Sequence, residues 1–268
     1  MRAMALVLAL ALWPAAAGAT ALERCADPRL DTGATLDACR AALRDPDLRP
    51  GLRARVLVNL GVAQAALGRH GDAARSFDLA RRTDPALVDA HANRARSLAE
   101  LGRIEDALAD FSAALDLAPR RSDLWVGRGA LRLRSGDAAG AIDDLDRAIR
   151  LDRENTAAFF NRGLAYLEAG EAQEANADFS VVIRRAPEDA AAHLYRAEAR
   201  AALGRGDAAP DYDRAVALAP DWGQALYLRG RYRDRRGERD AANDDFLRAY
   251  ELGVEDRWLA ERVQGIGG

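Results

Sequence analysis

Glycines that recur at a nearly constant interval constrain the fold of this chain more than any other feature of its sequence. They are Gly68, Gly102, Gly136, Gly170, Gly204 and Gly237. The first four intervals are equal, and the last is one residue shorter. Such self-similarity is typical of chains built from stacked copies of one small unit, because each copy covers the apolar face of its neighbour.

Other residues recur in step with these glycines and predict the structure of each unit. A small residue precedes each glycine, and an alanine and then a large apolar residue follow it. The small residues are Gly61, Ala95, Gly129, Gly163, Ala197 and Gly230, and the large ones are Phe77, Phe111, Leu145, Phe179, Tyr212 and Phe246. The glycine ends a first helix in the left-handed conformation, and a proline ends the second helix in four units. Each unit is therefore predicted to be helix, turn, helix.

A bulky residue lies four positions before each small one and completes the pattern. These residues are Leu57, His91, Trp125, Phe159, His193 and Leu226. With them, the sequence resembles the tetratricopeptide repeat (TPR) family in its pattern, W-x₂-L-G-x₂-Y, then A-x₃-F, then P, and in the length of its repeat. The resemblance implies an all-α fold, a right-handed α-solenoid of about six helix-turn-helix units. The units are 54–87, 88–121, 122–155, 156–189, 190–222 and 223–254.

The segments on either side of the repeats are predicted to cap the solenoid. Residues 20–53 form an N-terminal capping segment with a helix over 33–44, and residues 255–268 form a C-terminal capping helix with a short tail. In the fifth unit, which is one residue shorter, Asp207 is predicted to cap the second helix and Pro210 to lie in its first turn.

The first nineteen residues have the three-part plan of a secretory signal peptide. Arg2 precedes an apolar stretch, 3–13, and small residues with an A-x-A site follow it. Cleavage is predicted after Ala19. The alternative is a permanent membrane anchor, although the apolar stretch is short for a bilayer. A chain with this leader is expected in the periplasm or outside the cell.

The two cysteines, Cys25 and Cys39, come soon after the predicted leader. An even count in an exported chain favours a disulfide bond. Two free, buried thiols are the alternative.

Composition and motifs argue against several classes of function. The formal net charge is −3, which gives no field that favours nucleic acid. Every residue in the Lys+Arg count is arginine, so mechanisms that need a lysine are excluded. No protease, hydrolase, P-loop or zinc motif is found, so we expect no enzyme activity, no cofactor and no metal ion. His91 and His193 are expected to be packed core residues, because they take the bulky position.

Arginines just before the small residue form the most conspicuous charged pattern. They coincide with aspartates just before the large apolar residue, and the first unit has neither. The predicted pairs are Arg94 with Asp110, Arg128 with Asp144, Arg162 with Asp178, Arg196 with Asp211, and Arg229 with Asp245. This joint occurrence favours structural ion pairs between packed helices over a basic strip that binds an anionic ligand.

The resemblance also implies that the first helices line a concave groove that holds a peptide. The candidate lining residues are Arg55, Val58, Asn59, Val62, Ala92, Asn93, Arg96, Val126, Ala130, Phe160, Asn161, Leu164, Leu194, Glu198, Tyr227 and Arg231. For the three asparagines, which correspond to positions that hold peptide backbones in related proteins, a structural hydrogen bond is the alternative. For Phe160 the alternative is packing against a neighbouring helix.

These features predict a non-catalytic scaffold in the bacterial periplasm that binds a protein or peptide partner, expected to be an envelope protein. No nucleic acid and no stable membrane insertion after signal cleavage are expected. A self-associating structural component, joined through exposed end faces such as that around Trp258, is the alternative. The partner, the cellular process and the oligomeric state are left open.

Overall fold

The structure is a computed structural model that describes residues 20–204 and 208–266. The predicted signal peptide, 1–19, and the predicted helix cap Asp207 lie outside the described residues. Within them the chain forms α-helices and no β-strand. The helices are α1 (Ala21–Cys25), α2 (Thr32–Leu43), α3 (Pro50–Ala66), α4 (His70–Thr83), α5 (Val88–Glu100), α6 (Ile104–Leu117), α7 (Ser122–Arg134), α8 (Ala138–Leu151), α9 (Thr156–Glu168), α10 (Ala172–Arg185), α11 (Ala190–Ala202), α12 (Ala209–Leu218), α13 (Gly223–Arg235), α14 (Arg239–Glu251) and α15 (Arg257–Ile266).

The chain divides into two compact units, Met1–Gly136 and Asp137–Gly268, with the boundary inside the third repeat, between α7 and α8. In the first unit, each helix from α1 to α7 packs mainly against its neighbours in the chain. The same is true of α8 to α15 in the second unit. Within each unit this helix-by-helix packing is that of a solenoid of helix pairs, and the predicted all-α class is confirmed.

Each predicted turn glycine has a positive φ, which confirms the predicted left-handed conformation. The φ angles are 72° at Gly68, 74° at Gly102, 82° at Gly136, 79° at Gly170, 69° at Gly204 and 80° at Gly237. A further glycine, Gly253, has φ 79° after the end of α14. The sixth repeat therefore ends its second helix with a glycine, where four other repeats use a proline.

The small residue in the first helix allows the large apolar side chain of the second helix to lie against the backbone. A Cβ atom at Gly61 would lie 2.5 Å from Cε1 of Phe77, and one at Gly163 would lie 2.8 Å from Cζ of Phe179. Phe77 and Phe179 are fully buried. In these two repeats the core is thus an aromatic ring on a glycine, and this contact sets how closely the two helices approach.

A disulfide-linked segment begins the first unit. The Sγ atoms of Cys25 in α1 and Cys39 in α2 lie 2.03 Å apart, and both residues are fully buried. The bond joins α1 to α2, and both cysteines share an apolar cluster with Leu36, Val56 and Leu60, which packs the linked pair against the first helix of the first repeat.

Pro210 and the C-terminal helix are the two features predicted from the sequence at the other end of the chain. Pro210 lies in the first turn of α12, where its missing N–H group leaves no helical hydrogen bond unmade. The C-terminal helix α15 packs against α14 through Leu259, which is fully buried. Trp258 lies edge-on to Phe246, with 5.2 Å between ring centroids, and keeps 44% of its surface exposed.

Candidate peptide-binding groove

The arginine and aspartate side chains predicted to pair lie in contact between the two helices of a repeat. Arg162 donates to both carboxylate oxygens of Asp178, from Nε and Nη2, at 2.7 Å each. The same two-point contact joins Arg94 to Asp110, Arg196 to Asp211, and Arg229 to Asp245. Arg128 and Asp144 belong to different units, and their pairing stays a prediction.

Each of these arginines also has a second partner, sixteen residues earlier in the chain, that the sequence analysis missed. It lies in the second helix of the preceding repeat, directly after the large apolar residue. The distances from Nη1 are 2.5 Å from Arg94 to Asp78, 2.9 Å from Arg128 to Ser112, 2.5 Å from Arg162 to Asp146, 3.3 Å from Arg196 to Ser180 and 2.9 Å from Arg229 to Asp213. The alternation of Asp and Ser at this position is the sequence feature that could have predicted the second partner. One guanidinium therefore links two successive repeats.

For Arg162 and Asp211 the contacts shift the pKa in the direction that favours an ion pair. Hydrogen bonds to Asp178 and Asp146 raise the pKa of Arg162 despite its burial. Burial acts to raise the pKa of Asp211, but hydrogen bonds from Arg196 and His193 outweigh it and lower that pKa. Because they donate to two neighbouring helices, Arg94, Arg162, Arg196 and Arg229 are occupied within the fold and are not available to a ligand.

The bulky residue of the first helix also serves the fold. In three repeats its ring nitrogen donates to the carbonyl oxygen of the proline that ends the preceding helix, six residues earlier. The pairs are His91 with Pro85 at 3.1 Å, Trp125 with Pro119 at 2.9 Å and His193 with Pro187 at 3.0 Å. His193, which is 7% exposed, is packed as predicted.

The first unit contains a cleft of about 1030 Å³ along α3, α5 and α7, the first helices of its repeats. Its lining is mainly apolar, and Val62, Arg96 and Ala130, which follow directly after the small residue of each repeat, all contribute to it. Asn59 is a fourth predicted residue in the wall. Of the predicted lining residues, Asn59, Val62, Arg96 and Ala130 are the ones that the cleft includes.

Several predicted lining residues are wrong, because they point into the core. Val58 is 1% exposed and packs in a cluster with Phe77, and Ala92 and Leu194 are fully buried. Asn93 and Tyr227 are 3% and 7% exposed. Most of these residues lie three positions before the small residue, and they face the adjoining helices. The wall uses positions that follow the small residue, such as Ser97 and Leu131, which lie two residues after it.

Other predicted lining residues lie outside the cleft. Arg55 is exposed at the start of α3, and Val126 is partly buried on α7; neither contributes to the wall.

The three asparagines form hydrogen bonds within the protein. Asn59 donates from Nδ2 to the carbonyl oxygen of Cys25 at 3.3 Å. Asn93 accepts from Arg96, and Asn161 donates to the carbonyl oxygen of Ala157 in its own helix at 2.9 Å. All three therefore make a structural hydrogen bond, and Nδ2 of Asn59 holds a backbone that belongs to this chain.

In the second unit the corresponding positions form a partly exposed aromatic group. Phe160 lies edge-on to Phe179 and Tyr195, with ring centroids 5.6 and 5.9 Å apart. Phe160 and Leu164 are partly buried in this cluster, which shows packing with neighbouring helices for Phe160. Glu198 accepts a hydrogen bond from the hydroxyl of the buried Tyr212.

Arg231, the last predicted groove residue, is exposed on α13 and lies 5.7 Å from the ring of Tyr227. Among the described residues, no helix combines the length and apolar composition needed to cross a lipid bilayer. In the same part of the chain, no group of three or more His, Cys, Asp or Glu side chains is placed to hold a metal ion.

Comparisons with known proteins agree with this architecture. A family model described as tetratricopeptide repeat matches residues 93–156 and 160–225. A search of curated protein sequences found no match. Among solved structures, a tetratricopeptide repeat protein from Parabacteroides merdae ATCC 43184 is 23% identical, with a TM-score of 0.67 over 87% of this chain and 91% of that one.

Two further solved structures are similar in fold. PilW, described as a widely conserved type IV pilus biogenesis factor, is 18% identical, with a TM-score of 0.71 over 81% of this chain and 99% of that one. YrrB, described as a TPR protein with an unusual peptide-binding site, is 21% identical, with a TM-score of 0.60 over 71% and 97%. Together with the repeated helix pairs, the match to the family model identifies residues 93–156 and 160–225 as tetratricopeptide repeats, and members of that family bind protein or peptide partners and are generally non-catalytic scaffolds.

Proposed function

We propose that this protein is exported to the periplasm and acts there as a non-catalytic scaffold that holds a peptide or protein partner in its groove. The observation that carries the proposal is the cleft along α3, α5 and α7, which is large and mostly apolar. An apolar groove with a few polar groups is the usual form of a peptide site. The partner we expect is an envelope protein, since the predicted leader would bring the chain to that compartment.

Capture of a partner from an envelope fraction tests the binding surface. Ala66 is exposed and lines the cleft, so Ala66→Arg fills the groove without disturbing the core. Leu79 on α4 is 53% exposed and lies outside the cleft, which makes Leu79→Arg a matched control. We expect the mature wild type and Leu79→Arg to recover the same partner and Ala66→Arg to lose it. Equal recovery by Ala66→Arg would place the partner on another surface.

Mass spectrometry of the protein purified from the periplasm tests its export. The expected N-terminus is Thr20, after cleavage of residues 1–19. Intact chain found only in the membrane fraction would instead indicate the permanent anchor.

Self-association is a second candidate, supported by the C-terminal end of the second unit. Leu115 is 4% exposed because Leu124 and Trp125 of the following repeat cover it. Tyr250, at the equivalent position of the last repeat, is 49% exposed, and Trp258 is 44% exposed. Such an apolar end face suits a second copy of the chain. A mass by light scattering that stays monomeric at every concentration would exclude this candidate.

A further inference from the structure

One end of the cleft is built by a segment that is not part of any repeat. Leu30, Thr32 and Thr35, from the turn between α1 and α2 and the start of α2, contribute to its wall. This segment is closed into a loop by the bond between Cys25 and Cys39. The groove residues of the repeats and the disulfide-linked segment therefore form a single site.

The polar groups of the wall are incompletely satisfied. Asn59 is fully buried, and although its Nδ2 donates to Cys25, its Oδ1 has no hydrogen-bond partner. Ser97 is fully buried and its Oγ has no partner. His70, which also lines the cleft, has an unpartnered Nδ1. Most of the unpartnered buried side-chain atoms of the described residues thus lie at one cleft, although such atoms cost free energy and are rare in folded proteins.

The charges at the cleft favour an anionic group. Arg96 and Arg134 both line it, together with a single acidic residue, Glu100. The carboxylates nearest to the two arginines are loosely placed: Asp123 lies 3.8 Å from Arg96, and Glu100 lies 3.7 Å from Arg134. Burial lowers the pKa of Arg96, so its charge is incompletely compensated by its present neighbours. The bidentate contacts of the structural arginines are absent at these two.

We propose that this cleft binds an extended peptide segment that carries an aliphatic side chain beside an acidic one, and that it does so only while the Cys25–Cys39 disulfide holds the N-terminal segment in place. This proposal rests on the proposed function, to which it adds the chemistry of the ligand and the requirement for the disulfide bond. The aliphatic side chain occupies the apolar floor formed by Ala63, Phe111 and Leu131, and the carboxylate lies between Arg96 and Arg134.

A peptide backbone fits the unpartnered groups, whereas an acyl chain does not. A backbone N–H group donates to Oδ1 of Asn59, and a backbone carbonyl accepts from the hydroxyl of Ser97. A fatty acid offers a carboxylate and an apolar chain, but it has no donor for Asn59 once it is ionised. The pair of a donor and an acceptor therefore selects the peptide.

The disulfide acts on the site through Asn59 and the wall. The carbonyl oxygen of Cys25 orients the amide of Asn59, so that one N–H of Nδ2 is used and Oδ1 is left for a ligand. Reduction removes the covalent link between α1 and α2, so the short helix α1 with Cys25, and the wall residues Leu30, Thr32 and Thr35 inside the linked loop, are held less firmly against the repeats. Ligand contacts and amide orientation are then lost together.

Selection from a random hexapeptide library on the mature, oxidised protein tests the inference. We expect the selected peptides to combine an aliphatic residue with Asp or Glu. Asn59→Ala and Arg96→Gln should each weaken a selected peptide about tenfold, the effect of losing one buried or charged hydrogen bond. Asn161→Ala is the matched control, since Asn161 has the same repeat position but bonds to its own helix, and it should bind as the wild type does.

Ser97→Ala separates a ligand contact from a structural role. Since Oγ of Ser97 has no partner in the protein, we expect this variant to have an equal or higher melting temperature and weaker peptide binding. Reduced protein, checked by circular dichroism to keep its helices, should lose at least tenfold in affinity.

Several outcomes would overturn the inference: no enriched peptide, unchanged affinity in Asn59→Ala and Ser97→Ala, equal binding by the reduced protein, or competition by dodecanoate that is insensitive to Asn59→Ala. These outcomes differ from a failure of the proposed function. A partner captured from the envelope that Ala66→Arg loses but Asn59→Ala and the reduced protein retain would support the scaffold and refute this ligand chemistry.

Discussion

At the scale of single residues, the same side-chain types serve the fold in one place and the groove in another. Arg94 and Arg96 are two positions apart on α5. Arg94 is held by Asp110 and Asp78, whereas Arg96 lines the cleft with one loosely placed carboxylate. Neighbouring positions on a helix are about 100° apart, so a shift of two residues moves a cation from a packed interface to an open one.

The two aspartates that contact Arg229 differ in burial, so substituting each of them tests how strongly burial affects the strength of an ion pair. Asp245 is 4% exposed and Asp213 is 54% exposed, and Arg229 reaches both. Asp245→Asn leaves the guanidinium poorly compensated between helices and should cost about 3 kcal/mol of unfolding free energy. Asp213→Asn should cost less than about 1 kcal/mol. Urea unfolding measures both.

An equally small loss in the two variants, together with altered partner binding in Asp245→Asn, would contradict this interpretation. The arginines would then belong to the binding surface and not to the structure of the repeats.

The substitution Gly163→Ala tests the close contact between the two helices of a repeat. A methyl group there would lie 2.8 Å from Phe179, which is fully buried, so Gly163→Ala should destabilise the protein by about 1–3 kcal/mol in spite of the better helix propensity of alanine. Gly71 is the matched control, because it lies in α4 with nothing within 4 Å of an added Cβ. Gly71→Ala should be neutral or slightly stabilising. In thermal unfolding, the melting temperature should therefore fall for Gly163→Ala and stay the same or rise slightly for Gly71→Ala.

At the scale of helices, the repeats cover one another, whereas the two ends of the chain need special elements. A first helix buries one face against its own second helix and another against the next repeat, so a terminal repeat keeps an apolar face. At the start, α1 and α2 cover α3 with the help of a disulfide bond. At the end, a single short helix, α15, covers Phe246 and Tyr227 through Leu259 and Trp258.

Removal of α15 tests its capping role. A chain that stops after Val254 exposes the ring of Phe246 and part of Tyr227, which are 0% and 7% exposed in the full chain. We expect a lower melting temperature and concentration-dependent light scattering, because an uncovered apolar face promotes association. A chain that stops after Ile266 keeps the helix and should behave as the full protein does. If the shorter chain is as stable and as monomeric, α15 is not a cap.

At the scale of the whole molecule, the many ion pairs make stability depend on pH in acid. Hydrogen bonds and charges from arginines, working against burial in most cases, lower the pKa values of several carboxylates. They are Asp27, Asp72, Asp78, Asp123 and Asp211. Asp178 differs, because its burial outweighs the contact with Arg162 and raises its pKa. More carboxylates have a lowered pKa than a raised one, so the lowered pKa values set the direction in which stability changes with pH.

A carboxylate whose pKa is lower in the folded than in the unfolded chain stabilises the fold above its unfolded pKa, about 3.9 for aspartate. That stabilisation is lost as the pH falls through the folded value. We therefore expect similar urea midpoints at pH 7 and pH 5 and a steep fall below pH 4. Asp211→Asn should be less stable than the wild type at pH 7 and should approach it at pH 3. A difference that grows as the pH falls would contradict the sign of this shift.

The sequence alone determined the repeated helix pairs, the turn glycines and the pairing of arginine with aspartate within a repeat. These features depend on contacts between residues that are a fixed number of positions apart. A constant repeat length makes such spacings visible in the sequence. The second partner of each arginine obeys the same rule and was visible in principle as the Asp and Ser residues that follow the large apolar position.

Only the tertiary structure decided which face of the first helices is the groove and what closes it. Helical periodicity gives the angle between residues but not the direction in which the next helix lies, so Val58 and Leu194 were placed in the wall although they are buried in the core. The end wall comes from Leu30, Thr32 and Thr35, which lie outside the repeats. Asn59, predicted to hold the backbone of a partner, holds that of Cys25 in its own chain, because folding brings α1 against α3.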